Sequence, residues 1–188
     1  MKNIKKTYEN LLKAIAGESM ARNKYTYYAE IAMKEGYVWI AKVFEETADN
    51  ERAHAQEELE QLKEKVQMTN TYDIQPLGKT LENLRHAAEG ETYEFGTMYP
   101  GFEKVAREEG EIKVATLFKE IAEVEEKHAE RYTILADRLE KETLFKSEEE
   151  IEWKCLNCGY VHKGKSAPIK CPLCQKPQGY YMGMGVVR

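Results

Sequence analysis

Apolar side chains recur at helical spacing through most of this chain. Leu11, Leu12, Ile15 and Met20 lead into Tyr27, Tyr28 and Ile31, in the steps of three and four that one face of a helix requires. Gly36 interrupts, and a second run carries Ile40, Val43, Phe44 and Leu59. Thr69 to Gly78, with Asn70, Pro76 and Gly78, breaks the pattern with turn formers. A third run opens near Lys79 and holds Leu81, Leu84 and Phe95. Gly110 separates it from a fourth with Ile112, Val114, Leu117, Phe118, Ile121 and Leu135. Pro100-Gly101 falls late in the third run and predicts a kink or irregular turn there, not a clean break. Four long segments, two short joints and one longer middle joint predict a mainly α chain whose residues 1–145 form a four-helix bundle with a crossover. A helix of about 30 residues is about 45 Å long.

The bundle repeats itself. Residues 35–55 align with 109–129 at an offset of 74, and nine of the 21 positions are identical, among them Glu35/Glu109, Gly36/Gly110, Glu51/Glu125 and His54/His128. At an offset of 73, Gly17-Glu18-Ser19 aligns with Gly90-Glu91-Thr92. Two helix hairpins of common design follow, so whatever one offers to the centre the other offers by pseudo-symmetry.

After Thr143 the helical pattern fades. Lys146 to Glu152 reads as a short charged linker, and residues 153–188 are rich in Gly and Pro and too short for a sizeable apolar core. Such a segment needs a staple. Charge divides at the same place. The chain carries −5 overall, while Trp153 to Arg188 has six basic and no acidic residues, leaving −11 on the rest. The two parts should attract, within or between subunits, and the acidic part is unsuited to nucleic acid. No apolar run approaches the ~20 residues of a membrane helix. The basic start, Met1 to Lys6, has no apolar stretch of a secretory signal behind it, so the expected location is the cytoplasm.

All four cysteines lie between Cys155 and Cys174. Clustered cysteines in a cytosolic chain read as metal ligands, not as a disulfide framework. Cys155-x-x-Cys158 and Cys171-x-x-Cys174 are two knuckles that bring four thiolates around one tetrahedral ion, zinc or iron. Gly159 lets the backbone turn tightly there.

In the bundle, Glu51 and His54 are three apart on one helix face, and Glu125 and His128 repeat that spacing. One such pair alone would read as a solvated or salt-bridged face. Two at matching places of a repeat, each preceded by a matching Glu (Glu18 and Glu91), supply the set with which a bundle binds two metals. Glu94, one turn after Glu91, has no counterpart in the first hairpin. His86 and His162 lack such company and read as structural.

Together these residues resemble the rubrerythrin family, a ferritin-like bundle with a rubredoxin-like tail. The likeness is carried by Gly17-Glu18-Ser19-Met20-Ala21-Arg22-Asn23-Lys24-Tyr25, the two Glu-x-x-His pairs, Gly90-Glu91-x-x-Glu94 and the four-cysteine tail, and it covers essentially the whole chain. The resemblance implies a peroxidase that reduces hydrogen peroxide to water at a di-iron site and protects against oxidative stress. It implies a further iron in the four-cysteine site that relays electrons from an external donor (reduced rubredoxin or an NAD(P)H-dependent reductase). Glu18 and Glu91 would be terminal ligands and Glu51 and Glu125 bridging ones. His128 would be a constant ligand, with Glu94 exchanged for His54 on reduction. Tyr25 and Tyr99 would donate hydrogen bonds to ligand carboxylates. A head-to-tail homodimer is expected, with helices swapped or not. The competing readings are iron oxidation and storage on the same bundle, and a zinc-ribbon interaction module on a helical stalk.

Overall fold

Helices α1 (Lys6–Lys34) and α2 (Val38–Glu60) form one hairpin. Helix α3 (Thr80–Tyr93), a π turn (Glu94–Met98) and α4 (Tyr99–Glu108) make one interrupted rod, which pairs with α5 (Ile112–Glu140). This computed structural model describes residues 5–187; Met1–Ile4 of the basic N-terminal stretch and Arg188 of the basic tail lie outside them. Among the described residues no helix is long and apolar enough to cross a membrane.

Both hairpin turns are built alike. Gly36 and Gly110 have φ of +87° and +76°, a left-handed conformation that glycine adopts without strain. In each turn the residue after the glycine donates back five positions, Tyr37 to the Ala32 carbonyl and Glu111 to that of Ala106, which closes the helix end. The glutamate before each glycine caps the other hairpin. Glu109 accepts from the Lys6 and Thr7 amides at the start of α1, and Glu35 from the Thr80 amide at the start of α3. Free N–H groups at a helix start thus meet a negative charge.

The connection between hairpins is longer than the sequence pattern predicts. Helix α2 stops at Glu60, and residues 62–79 run non-helically to the far end of the bundle. Leu62 and Val66 leave helical register to pack on the core cluster around Tyr8, Leu11, Tyr99 and Phe118. The irregularity expected at Pro100-Gly101 is the π turn just upstream, in which the Tyr99 amide reaches back five residues to the Glu94 carbonyl. It lies between Glu91, which repeats Glu18 at an offset of 73, and Tyr99, which repeats Tyr25 at 74. The change of offset is one inserted residue, and the wider turn absorbs it so that Glu91 and Tyr99 both face inward.

On α5 the buried stripe reads Val114, Phe118, Ile121, Glu125, His128, Tyr132, Leu135. Charged side chains thus occupy core positions at mid-helix. The same happens on α1 at Glu18, on α2 at Glu51 and on α3 at Glu91. The apolar core is divided accordingly. One cluster holds Tyr25, Tyr28, Phe44 and Tyr132, the other Tyr8, Tyr99, Ala106 and Phe118.

The stretch Lys146 to Glu152, read from its charge as a linker, is the first part of strand β1 (Lys146–Cys155). This strand pairs antiparallel with β2 (Val161–Ser166) and β3 (Tyr181–Gly183) in the order β2-β1-β3. Ile151, Trp153 and Cys155 alternate inward along it while the charges face out, a period-two pattern that charge masked in the sequence. The tail sits on the α1–α2 turn, where a Cβ on Gly179 would meet the Gly36 carbonyl oxygen at 1.8 Å.

Candidate metal centres

Four helices bring the predicted ligands to one level of the bundle. Oxygen and nitrogen atoms of Glu18, Glu51, His54 and Glu125 lie within 4.8 Å of one another, as do those of Glu51, Glu91, Glu125 and His128. The two groups share Glu51 and Glu125, as two adjacent ions with two carboxylates in common would require. His54 Nδ1 stands 2.8 Å from Glu125 Oε1, 3.1 Å from Glu51 Oε2 and 3.7 Å from Glu18 Oε2. His128 Nδ1 stands 2.6 Å from Glu125 Oε2, 3.4 Å from Glu51 Oε1 and 3.8 Å from Glu91 Oε2. Glu94 belongs to neither group; it opens the π turn and keeps a partly exposed edge.

The protein alone does not satisfy this cluster. Glu18 Oε2, Glu51 Oε1, Glu91 Oε2 and Glu125 Oε1 are buried without a hydrogen-bond partner, and a buried carboxylate left so is costly. The acidities divide in consequence. Burial drives Glu18 and Glu91 well above the usual carboxylate range, with charge repulsion from Glu51 added. Burial also acts to raise Glu51, but the His128 and His54 imidazoles beside it outweigh that and hold Glu51 at about 2. Burial disfavours the charged imidazoles, yet the carboxylates around them raise both, His128 to about 12. Two divalent cations satisfy the same donors without the trapped protons.

The supports of this layer are unequal. The Tyr25 hydroxyl donates to Glu91 and the Tyr99 hydroxyl to Glu18. Each ring is locked by aromatic neighbours, Phe44 and Tyr132 for Tyr25, Phe102 and Phe118 for Tyr99. His128 is also held from behind, with Nε2 3.3 Å from Asn50 Oδ1. With Asn50 Oδ1 accepting from Nε2, Nδ1 is the nitrogen a metal would take once it displaces the proton there. The repeat puts Val124 where Asn50 would have to be to serve His54, and valine has nothing to offer an imidazole. His54 is accordingly the more exposed ring, 13% against 4%. Asn50 was invisible to motif reasoning; its only signal is the Asn50/Val124 mismatch within a repeat.

In the tail, Cys155 Sγ lies 3.7 Å from Cys174 Sγ and Cys158 Sγ 3.6 Å from Cys171 Sγ. A tetrahedron with metal–sulfur bonds of about 2.3 Å has edges of about 3.8 Å, so the four sulfurs already fit one ion. Gly159 and Gln175 follow the second cysteine of each knuckle with φ of +77° and +61°. The glycine was expected; the glutamine takes the same turn against its own Cβ. The Lys176 amide holds Cys174 below the usual thiol range. Burial acts to raise Cys171, but the Cys174 and Leu173 amides pull it to about 6. At Cys158 the Tyr160 amide favours the thiolate, but burial and the neighbouring sulfurs push it up to about 12. Only a cation lets all four ionise together. His86 and His162 join neither cluster.

The family model for rubrerythrin matches residues 9–149, and that for the rubrerythrin rubredoxin-like domain matches residues 153–182. The chain belongs to the rubrerythrin family. It is 45% identical to a rubrerythrin of Clostridium perfringens, over 96% of either chain, and 45% identical to one of Porphyromonas gingivalis, over 95% of this chain and 90% of that one. Among solved structures it is similar to partially reduced nigerythrin, with a TM-score of 0.63 at 34% identity over 97% of this chain and 88% of that one. Rubrerythrin membership, the carboxylate–imidazole cluster and the four thiols together make iron the cofactor at both places.

Proposed function

We propose that this protein reduces hydrogen peroxide to water and so protects the cytoplasm against oxidative stress. The observation that carries the reading is the pairing, in one chain, of two ligand groups sharing two carboxylates with a separate four-thiol set. A two-electron acceptor is matched by two ferrous ions side by side, and a one-electron thiolate centre can refill them. Iron storage on the same bundle would leave the four-cysteine tail without a task.

Each residue has a role in this reading. Glu51 and Glu125 would be shared by the two ions, and Glu18 and Glu91 would hold one each, steered by Tyr99 and Tyr25. His128, anchored by Asn50, would be the constant imidazole. His54, with no such anchor, would be the one to exchange with Glu94. The apolar clusters on either side keep water from the reacting level.

Electrons enter from reduced rubredoxin or an NAD(P)H-dependent reductase. Within one chain the tail sits on the turn after Glu35, and Glu18 is 17 residues back along α1, about 26 Å along the axis. A head-to-tail homodimer would bring the partner's tail nearer, and the +6 tail and −11 bundle favour that docking. Exchange of hairpins through residues 62–79 is compatible with it.

The test is anaerobic reduction followed by one equivalent of peroxide, with absorbance of both iron centres recorded. The expected result is fast oxidation of the bundle irons with two electrons consumed per peroxide. Cys158→Ser should keep that single turnover and lose sustained turnover. Reduced protein that peroxide leaves ferrous would refute the activity, and undiminished steady-state turnover in Cys158→Ser would refute the relay.

A further inference from the structure

We propose that Glu58 is a buried acid that supplies a proton to the metal pocket through the Tyr99 hydroxyl. Glu58 lies one turn beyond His54 on α2, fully buried, and among the described residues no cation pairs with it. Its Oε1 is 3.1 Å from the Tyr99 hydroxyl oxygen, and its Oε2 has no partner. The same hydroxyl contacts Glu18. A phenol has one proton to give. When Glu18 serves as an ionised ligand, Tyr99 donates to it, and the contact with Glu58 holds only if Glu58 is the donor. Two carboxylates with one phenol between them therefore require a protonated Glu58.

The surroundings agree. Burial comes first in pushing Glu58 up to about 8; Tyr99 and His54 act against that, and Glu94 and Glu125 add to it. The groups that face it are thus Tyr99 on α4, Glu18 on α1 through that tyrosine, Glu94 in the π turn, Glu125 on α5 and His54 on its own helix. Pseudo-symmetry argues against a merely architectural acid. The residue 74 positions on is Tyr132, whose hydroxyl is buried without a partner. So Glu91 is backed by Tyr25 alone, while Glu18 is backed by a tyrosine and an acid in series.

This inference rests on the peroxidase reading. Reduction of one peroxide breaks the O–O bond, takes up two electrons from the reduced iron pair and two protons, and yields two waters. Tyr99 passes its proton to Glu18 as it receives the proton of Glu58, and Glu18 yields it to an oxygen of the breaking peroxide. The chain then points the other way, with Tyr99 donating to a Glu58 carboxylate. Water returns that proton after turnover and also supplies the second one.

Glu58→Gln tests it, because an amide keeps the shape and the hydrogen bond to Tyr99 but has no proton to release. In the iron-loaded protein, infrared spectra should show a protonated-carboxyl C=O component that shifts in D2O and is lost in E58Q, apart from any contribution of Glu94. Oxidation of the reduced protein by peroxide should be slowed about tenfold or more in E58Q. Its rate should also lose the decline with rising pH expected of the wild type. Carboxyl-band intensity in E58Q equal to that of the wild type, or an unchanged rate and pH profile with both iron centres filled, overturns the proposal. A wild-type protein that peroxide does not oxidise overturns the function itself and the proton supply with it, whereas equal oxidation of wild type and E58Q removes the proton supply alone.

Discussion

Stripping the iron should leave a bundle that loses stability as pH rises from about 5 to about 8. Glu58 and Glu94 are both pushed up to about 8, by burial first, from an ordinary 4.5. In the folded metal-free protein each keeps a proton that the unfolded chain has given up. Their contribution is whole below 4.5 and is lost as pH climbs through about 8. The raised acidities of Glu18 and Glu91 act in the same sense. So do His54 and His128, raised above 6.5, since the folded state holds their protons longer. Glu51, held at about 2, acts oppositely but only in acid, where its contribution is lost as pH falls from 4.5 toward 2. Each proton of difference is about 1.4 kcal/mol per pH unit. Glu58 and Glu94 alone make nearly two protons of difference near neutrality, a slope of about 2–3 kcal/mol per unit, and the other four groups steepen it. The assay is urea unfolding followed by helical circular dichroism across this range, with the iron-loaded protein as reference. Ions replace those protons, so the loaded curve should be flatter and the gap between the two should widen with pH. A chelated protein whose stability is flat or rises over the range, or equal slopes with and without iron, would refute the account of the cluster.

Two further substitutions probe the frame. Glu109→Ala removes the acceptor of the Lys6 and Thr7 amides and should cost about 1 kcal/mol, read as a fall of about 2–4 °C in the bundle's melting temperature; an unchanged melting point would mean the distant cap contributes nothing. Gln175→Gly relieves a non-glycine left-handed residue at the second knuckle and should stabilise the tail by about 0.5–1 kcal/mol, net of the lost side-chain bond to the Pro172 carbonyl. Slower loss of iron from the four-cysteine site to a chelator checks it, and faster loss would overturn it.

The helical rods and the ligand layer were legible because periodicity and spacing report them directly. Glu51/His54 and Glu125/His128 sit three apart, and the repeat multiplied a weak signal into a strong one. Both four-ligand groups are made of residues legible in this way. What was illegible was set by tertiary context. Residues 62–68 have acceptable helix composition, yet they run outside the helix with Leu62 and Val66 packed on the core. The strand over Lys146–Glu152 hid behind its charge, since only Ile151 of its inward residues is apolar before Trp153. Glu58 stands among Gln56, Glu57, Glu60 and Gln61, with only the exposed Leu59 between, and nothing local separates the buried acid from its solvated neighbours. The π turn did leave a trace, the step from an offset of 73 to 74, but its meaning needs the three-dimensional pairing of Glu91 and Tyr99.

That one-residue step has a corollary. A doubled hairpin gives both ions equivalent company, and an equivalent pair relaxes equally at both ends. By falling out of step for a single turn, the third rod leaves Glu94 as a spare acid just outside the ring of ligands, with no twin across the axis. The misfit of length thus joins Asn50 and Glu58 in surrounding the two metal groups unequally, although the scaffold that carries them is a repeat.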